Sequence, residues 1–385
     1  MPEAVIVGVG ETRFTKESDL TDEELIADAM RFALHDAGLR KSDVNGLAIG
    51  TMSLKDDVPL LAEHFGLSSK WLLKADYGGA SGVVSVARAR QAIEGGFADV
   101  VVTAAGGNKD PNRQHDRQYP MSDYSRRSWV EPFGYGGPNS FFGLMQQLHM
   151  SKYGTTLEQL GKIATTFRSH AQLNDNALLQ KDLSIDDYKD SRLISDPIRL
   201  LDCVMPCCGA AAIVIAREDI ASQLQKPGIR VASYGESSGH QAAEALPDRL
   251  DLGFSQFRDR LFQNIPGTDM DFLQLYDDYP IAVLMTLEAL GYAETGKGGL
   301  FLEETDISVG GELPINTGGG QLSIGQPTMA GGYIHVVEAV RQLRNEAGAR
   351  QVEDARQGLV TGIGLVSSFG NVAVTAAMIL SAGAK

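Results

Sequence analysis

Short apolar runs that end in glycine alternate along this chain with stretches whose apolar residues recur at helical spacing. Ala4-Val5-Ile6-Val7-Gly8-Val9-Gly10 reads as a buried strand that leaves into a loop. Thr21 and Glu24 form a T-x-x-E capping box ahead of Leu25, Ile26, Met30, Ala33 and Leu34, which predicts a helix stopping at Gly38. A further strand is expected over residues 46–52. Tyr77-Gly78-Gly79-Ala80-Ser81-Gly82 then opens a helix marked by Val83, Val86, Ala87, Arg90 and Ile93, and residues 99–105 form another buried strand. Alternation of this kind predicts an α/β fold.

Residues 108–195 break the rhythm with a polar, aromatic and arginine-containing segment followed by helical patterns such as residues 156–170, and read as an inserted loop subdomain. Strand patterning resumes at residues 209–215, and a linker at 225–228 leads to a strand at 229–234. This divides the chain into halves at 1–226 and 227–385. The second half echoes the first: Gly319-Gly320-Gln321-Leu322-Ser323-Ile324-Gly325, a helix to Arg344 and the strand Leu359-Val360-Thr361-Gly362 repeat the order glycine loop, helix, strand. Duplication of an α/β half would place a pocket where the two glycine loops face each other. Two unrelated βαβ units that share ordinary loop chemistry would leave the same trace.

Composition removes several functions. The 385 residues carry 34 Lys+Arg against 49 Asp+Glu, a formal charge of −15, so a phosphate-backbone binder is not expected. No run of about 18 apolar residues predicts a membrane span, and Met1-Pro2-Glu3 opens no basic leader, so a cytoplasmic protein is expected. The three cysteines, Cys203, Cys207 and Cys208, are too clustered for a disulfide framework. The seven histidines are scattered without metal-ligand spacing, so no metal site is expected. Glycine is the one excess, 43 residues where average usage would give roughly 27. It is concentrated in part at Gly78-Gly79 with Gly82 and at Gly318-Gly319-Gly320 with Gly325.

Taken together, the strand at residues 4–11, Gly79-Ala80-Ser81-Gly82, the segment 202–215, Tyr276-Asp277-Asp278-Tyr279 and Gly325-Gln326-Pro327 resemble the thiolase superfamily. The narrower resemblance is to sterol-carrier-protein-2-type thiolases and the lipid-transfer-protein steroid side-chain aldolases. It spans the chain and implies a thiolase fold, two βαβαβαββ halves in five αβαβα layers, usually dimeric, with no appended sterol-carrier domain. It also implies a small DUF35 partner, an OB fold with a zinc ribbon. Lys109, Arg113, Arg117, Arg126 and Arg127 are a basic group that would face CoA phosphates, such a partner, or only solvent.

The motifs depart from the thiolase pattern in a consistent direction. Gly79 stands where the resemblance places the nucleophilic Cys, and Ser81 matches that motif's serine, with a turn or packing role. Tyr276 and Asp278 stand where the sterol-carrier type has His and the acid/base Cys, and the aldolase branch also places Tyr at the first. Gln326 replaces the His of Gly-His-Pro, where the aldolase branch tends to have a second Tyr; Tyr333 would take that place only if the loop shifts. Gly362-Ile363-Gly364 matches the last Cys-x-Gly without its Cys. A site without a nucleophile can still cleave a carbon–carbon bond by retro-aldol chemistry, which requires a proton acceptor and donors for an enolate.

The expectation is therefore retro-aldol cleavage of a bulky β-hydroxyacyl-CoA to a ketone or aldehyde plus a short acyl-CoA. Tyr276, assisted by Asp278, would take the hydroxyl proton. Gln326 and backbone N–H groups near Gly364 would hold the enolate, Gly79 would leave room for a branched β-carbon, and Gly325, Ser81 and Tyr333 would line the substrate pocket. No covalently bound cofactor is expected, CoA entering as part of the thioester. Two other classes stay open, an acyltransferase with an atypical nucleophile and a non-catalytic acyl-CoA-binding or scaffold subunit of a thiolase–DUF35 complex.

Overall fold

The computed structural model describes residues 3–52, 54, 56–110, 131–134, 137–240, 248–366 and 372–383. Its strands are β1 (Ala4–Glu11), β2 (Gly46–Ile49), β3 (Trp71–Lys74), β4 (Val100–Gly107), β5 (Leu193–Ser195), β6 (Ile198–Arg199), β7 (Gly209–Arg217), β8 (Ile229–Ser238), β9 (Phe272–Gln274), β10 (Gln357–Val366) and β11 (Val372–Ala382). Strands β5 and β6 pair with each other, and the other nine form one sheet in the order β3-β2-β4-β7-β1-β8-β11-β10-β9.

That order is nearly a palindrome. Read inward from the β3 edge, the first half contributes its third, second, fourth, fifth and first strands. From the opposite edge an isolated parallel bridge, Leu273 to Ile315, stands for a third strand, followed by β9, β10, β11 and β8. Strand directions repeat too: β2–β4 and β9–β10 are parallel, β4–β7 and β10–β11 antiparallel, β7–β1 and β11–β8 antiparallel. The halves join through two residue pairs, Val5 with Arg230 and Ile6 with Ile229. Duplication accounts for this symmetry with one event.

Three apolar compartments separate the layers. Side chains alternate across a strand, so Val5 and Val7 of β1 enter an outer core beneath the helix α1 (Asp22–Ala37), while Ala4 and Ile6 enter the central one. Helix α1 has the expected capping box, and ends at Gly38 with φ 70°. The central core is built by two helices, α2 (Ser81–Glu94) and the helix of residues Gly331–Leu343, whose Val83, Val86, Val336 and Val340 pack between Ile213 of one half-sheet and Val360 of the other. A third compartment holds Leu359 and Ile379 from the far face of the second half-sheet.

The insertion is more helical than its loop-like composition implies. It forms α3 (Gly137–Tyr153), α4 (Leu157–Ala171) and α5 (Ile185–Asp190). These leave the first half and pack into the third compartment, where Phe141, Met145, Ile163 and Phe167 meet Leu284 and Met285 of α6 (Pro280–Leu290). Arg113, Arg117, Arg126 and Arg127 lie outside the described residues. No helix among the described residues is long and apolar enough to cross a membrane.

The internal echo falls in a different place from the one the glycine spacing predicts. The segment Gly319–Gly325 forms its own short helix, α7 (Gly320–Ile324), which ends where Gly325 turns at φ 108°. The counterpart of the short turn Gly78–Ala80 before α2 is Thr328–Ala330, which leads into α8 (Gly331–Leu343). The two central helices meet at their N-terminal ends, where a Cβ on Gly82 would lie 2.3 Å from the Gly332 carbonyl oxygen. A methyl group there must push the helices apart. We expect Gly82→Ala to lower stability by about 2 kcal/mol; an unchanged denaturation midpoint would contradict this close approach.

Candidate active site

Four segments converge at the heads of the central helices: the turn Tyr77–Ala80, the residues after β9, the stretch around α7 and the end of β10. Each is held by backbone contacts that set its side chains. The turn Tyr77–Ala80 closes on the Ser81 hydroxyl, which accepts from the Tyr77 N–H at 3.0 Å and lies 3.6 Å from the Met329 sulfur. Ser81 is fully buried and serves the turn. Gly364 on β10 lies directly under this turn, where a Cβ would fall 1.7 Å from the Tyr77 carbonyl oxygen.

The strand that delivers Tyr276 is clamped on both sides. Asn316 accepts the Leu275 N–H at 2.6 Å and donates its side-chain amide back to the Leu275 carbonyl at 2.8 Å. The Tyr276 N–H donates to the Thr361 hydroxyl at 2.9 Å. Sequence reasoning missed Asn316 and Thr361; the only signal was a polar residue beginning a run of glycines at Asn316-Thr317-Gly318-Gly319-Gly320.

With its backbone fixed, the Tyr276 ring is directed at Gly79. A Cβ on Gly79 would lie 2.0 Å from Cζ, 2.1 Å from Cε2 and 2.1 Å from the hydroxyl oxygen of Tyr276. The space released at position 79 is therefore filled by the phenol. It is not left open for a branched substrate carbon, as the sequence led us to expect. Tyr276 is 3% exposed.

The neighbouring carboxylates have separate tasks. Asp277 accepts the Gln321 and Leu322 N–H groups at 2.9 and 3.3 Å, capping α7, and lies 3.0 Å from His335 Nε2. His335 stands edge-on to the Tyr276 ring, centroids 6.2 Å apart. Asp278 caps no helix: α6 begins after Tyr279 without a side-chain cap. Instead Asp278 accepts from Gln326 Nε2 at 2.8 Å. Gln326 is thus a support for Asp278, where the sequence cast it as a donor to an enolate. Its backbone is fixed by the Met205 carbonyl and the Cys207 N–H, beside the turn at Gly325.

Asp278 keeps some accessible surface although protein surrounds it. Burial and the adjacent Asp277 charge push its carboxyl up, to about 7, against the opposing hydrogen bonds from Tyr276 and Gln326. Burial and the Asp278 charge drive the Tyr276 phenol well above its ordinary value, so it stays protonated at neutral pH. Such a pair can supply a carboxylate that accepts a proton near neutrality and a phenol that donates or relays one. Tyr333 stands apart from them, its hydroxyl donating to Ser85 at 3.0 Å in the packing between α8 and α2.

The cysteines offer no nucleophile here. Cys207 and Cys208 are fully buried, and burial pushes the Cys203 thiol up to about 12 and the Cys207 thiol higher still. Among the described residues no group of three His, Cys, Asp or Glu side chains could hold a metal ion.

The family model described as thiolase C-terminal domain-like matches residues 262–377, which carry Tyr276, Asp278 and Gln326. The 17-hydroxy-3-oxo-4-pregnene-20-carboxyl-CoA lyase of Mycobacterium tuberculosis is 31% identical over 364 residues, covering 89% of this chain and 92% of that protein. This chain belongs to the thiolase superfamily. An acetyl-CoA acetyltransferase of Methanothermobacter thermautotrophicus is 30% identical over 94% of this chain and 97% of its own. A steroid side-chain-cleaving aldolase of Thermomonospora curvata is 29% identical over 95% and 96%. The solved Ltp2-ChsH2(DUF35) aldolase superposes with a TM-score of 0.88 at 28% identity, covering 100% of this chain and 99% of that one. The superfamily therefore supplies the fold, and its members similar to this chain include both acyltransferases and carbon–carbon lyases.

Two outcomes check the geometry. Gly79→Ala should cost about 1–3 kcal/mol through its clash with the ring, and most of that cost should vanish when Tyr276 is also changed to Ala; additive effects in a denaturation cycle would contradict the contact. Asp278 holds its proton to higher pH when folded than when unfolded, so its ionisation lowers stability as pH rises from about 4 through about 7. In Asp278→Asn that decline should be absent, measured as unfolding midpoints across the same window.

Proposed function

We propose that this protein is a lyase that cleaves a β-hydroxyacyl-CoA by retro-aldol chemistry without forming an acyl-enzyme. The observation that carries the reading is the phenol of Tyr276 occupying the volume a nucleophile on residue 79 would need, backed by a carboxylate tuned near neutral pH. The β-hydroxyl gives up its proton to the Asp278 carboxylate through Tyr276. The Cα–Cβ bond breaks, its electron pair moves into the thioester as an enolate, and the β-carbon leaves as a ketone or aldehyde. The enolate carbon then takes a proton, which regenerates the carboxylate and yields the shortened acyl-CoA. In this reading backbone N–H groups at the head of α2 and near Gly364 would hold the enolate oxygen, with the positive end of the helix behind them.

The substrate we assign is a thioester with a bulky, steroid-like side chain. This draws on the named activities of the pregnene-carboxyl-CoA lyase and the side-chain-cleaving aldolase. The Ltp2-ChsH2(DUF35) complex supports a small DUF35 partner. We further propose a homodimer acting in the cytoplasm, with CoA as part of the substrate and no resident cofactor. Acyl transfer through an atypical nucleophile has the acetyltransferase relative in its favour. The raised thiols of Cys203 and Cys207 count against it. A purely scaffolding role leaves the convergence of Tyr276, Asp278 and Gln326 without a purpose.

Purified protein with a DUF35 partner, given β-hydroxyacyl-CoA esters, should release a ketone or aldehyde and a short acyl-CoA. Tyr276→Phe and Asp278→Asn should each lower kcat by about a hundred-fold or more. The rate should rise with pH through about 7 as Asp278 ionises. No cleavage across bulky and small substrates, or full activity in both variants, would overturn the proposal.

A further inference from the structure

Gln321 is fully buried, and both polar atoms of its side-chain amide lack an aligned hydrogen-bond partner among the described residues. Such an amide costs stability unless something uses it. Its backbone N–H already serves Asp277, so the residue is locked on the first turn of α7 while its side chain reaches toward the heads of the central helices. There it crosses Gly331, where a Cβ would lie 1.9 Å from the Gln321 Oε1 and 3.2 Å from the Gln326 Cγ. One missing side chain thus admits two glutamines side by side. Gly332, next in sequence, is packed on the Gly79 carbonyl, so the same turn touches both the glutamine pair and the residue facing the Tyr276 ring.

We propose that Gln321 is a positioning residue for Tyr276, its amide N–H directed to the phenol oxygen so that the phenol hydrogen is turned toward Asp278. This deepens the lyase reading and rests on it. Tyr276 and Asp278 then form the middle of a row of four side chains, Gln321, Tyr276, Asp278 and Gln326, with an amide at each end. The amide near Tyr276 favours the ionised phenol, opposing in part the effect of burial and of Asp278. A phenol can point its hydrogen in more than one direction. An N–H donated to its oxygen from one side leaves the hydrogen the other side, where the carboxylate waits. Gln326 does the corresponding work for Asp278 with its 2.8 Å bond. No proton is gained or lost at Gln321; it sets the direction in which Tyr276 passes one.

The test uses full-length Gln321→Met and Gln321→Leu with the DUF35 partner and a β-hydroxyacyl-CoA that the wild type cleaves. Replacing a buried amide without aligned partners by an apolar side chain of similar size should leave the Tm unchanged or higher. In the same variants kcat should fall roughly ten-fold or more, KM should stay within about three-fold, and the solvent deuterium isotope effect on kcat should grow as proton relay becomes more limiting. Wild-type kcat and isotope effect in either stably folded variant would overturn the inference, and so would a loss of kcat that only follows a lowered Tm. If the wild type cleaves no such ester, the lyase reading fails, and this inference with it.

Discussion

Only one side chain fits between the head of the first central helix and the strand end of the second half, and in this protein it comes from the second half. Gly79 yields the space and the Tyr276 ring takes it, with no ångström to spare for a Cβ on residue 79. The neighbouring constraints serve the same junction. Gly82 and Gly332 let the central helices touch at their heads, Gly364 passes beneath the Tyr77 carbonyl, and Asn316 with Thr361 fixes the backbone that aims the ring. The duplicated architecture explains why such a junction exists: two half-sheets in mirrored order bring two helix heads to one place.

A thiolate nucleophile needs a side chain at the helix tip, and here the Tyr276 phenol fills that space, where the proposed lyase would use it as a proton relay. The exchange also changes the electrostatics. Two adjacent carboxylates beneath a buried phenol would be costly if both had the same surroundings. Asp277 is satisfied by two backbone N–H groups at the start of α7 and faces His335. Asp278 has a phenol and one amide, and burial beside a charge moves it to neutrality. Environments that pull two like groups apart assign them different work, one structural and one chemical. The energy stored in the ionised Asp278 is of the kind functional sites carry and the rest of the fold offsets.

Much of this was legible in the residue order. The strand at residues 4–11, the capping box at Thr21 and Glu24, and the helix after Gly82 follow from local pattern, and local pattern survives folding. Tyr276, Asp278 and Gln326 were found through a resemblance in motif position, and the fold brings Asp278 into contact with both of the others. What failed was non-local. Glycine spacing suggested that Gly319–Gly325 repeats Gly78–Gly82, but a run of glycines has no address until packing gives one, and the equivalent turn is Thr328–Ala330. The space at Gly79 could not be seen as filled, because the ring that fills it is almost two hundred positions away in the chain. Gln321, Asn316 and His335 look like ordinary polar residues in a loop and a helix; only burial and convergence single them out.

In the proposed reaction the bond breaks without a covalent acyl group on the protein. Intact-mass spectrometry of the protein, quenched during turnover of a β-hydroxyacyl-CoA that it cleaves, tests this directly. The expected result is a chain of unchanged mass while ketone or aldehyde and short acyl-CoA accumulate. A stoichiometric acyl adduct that forms and decays at the rate of turnover would contradict it.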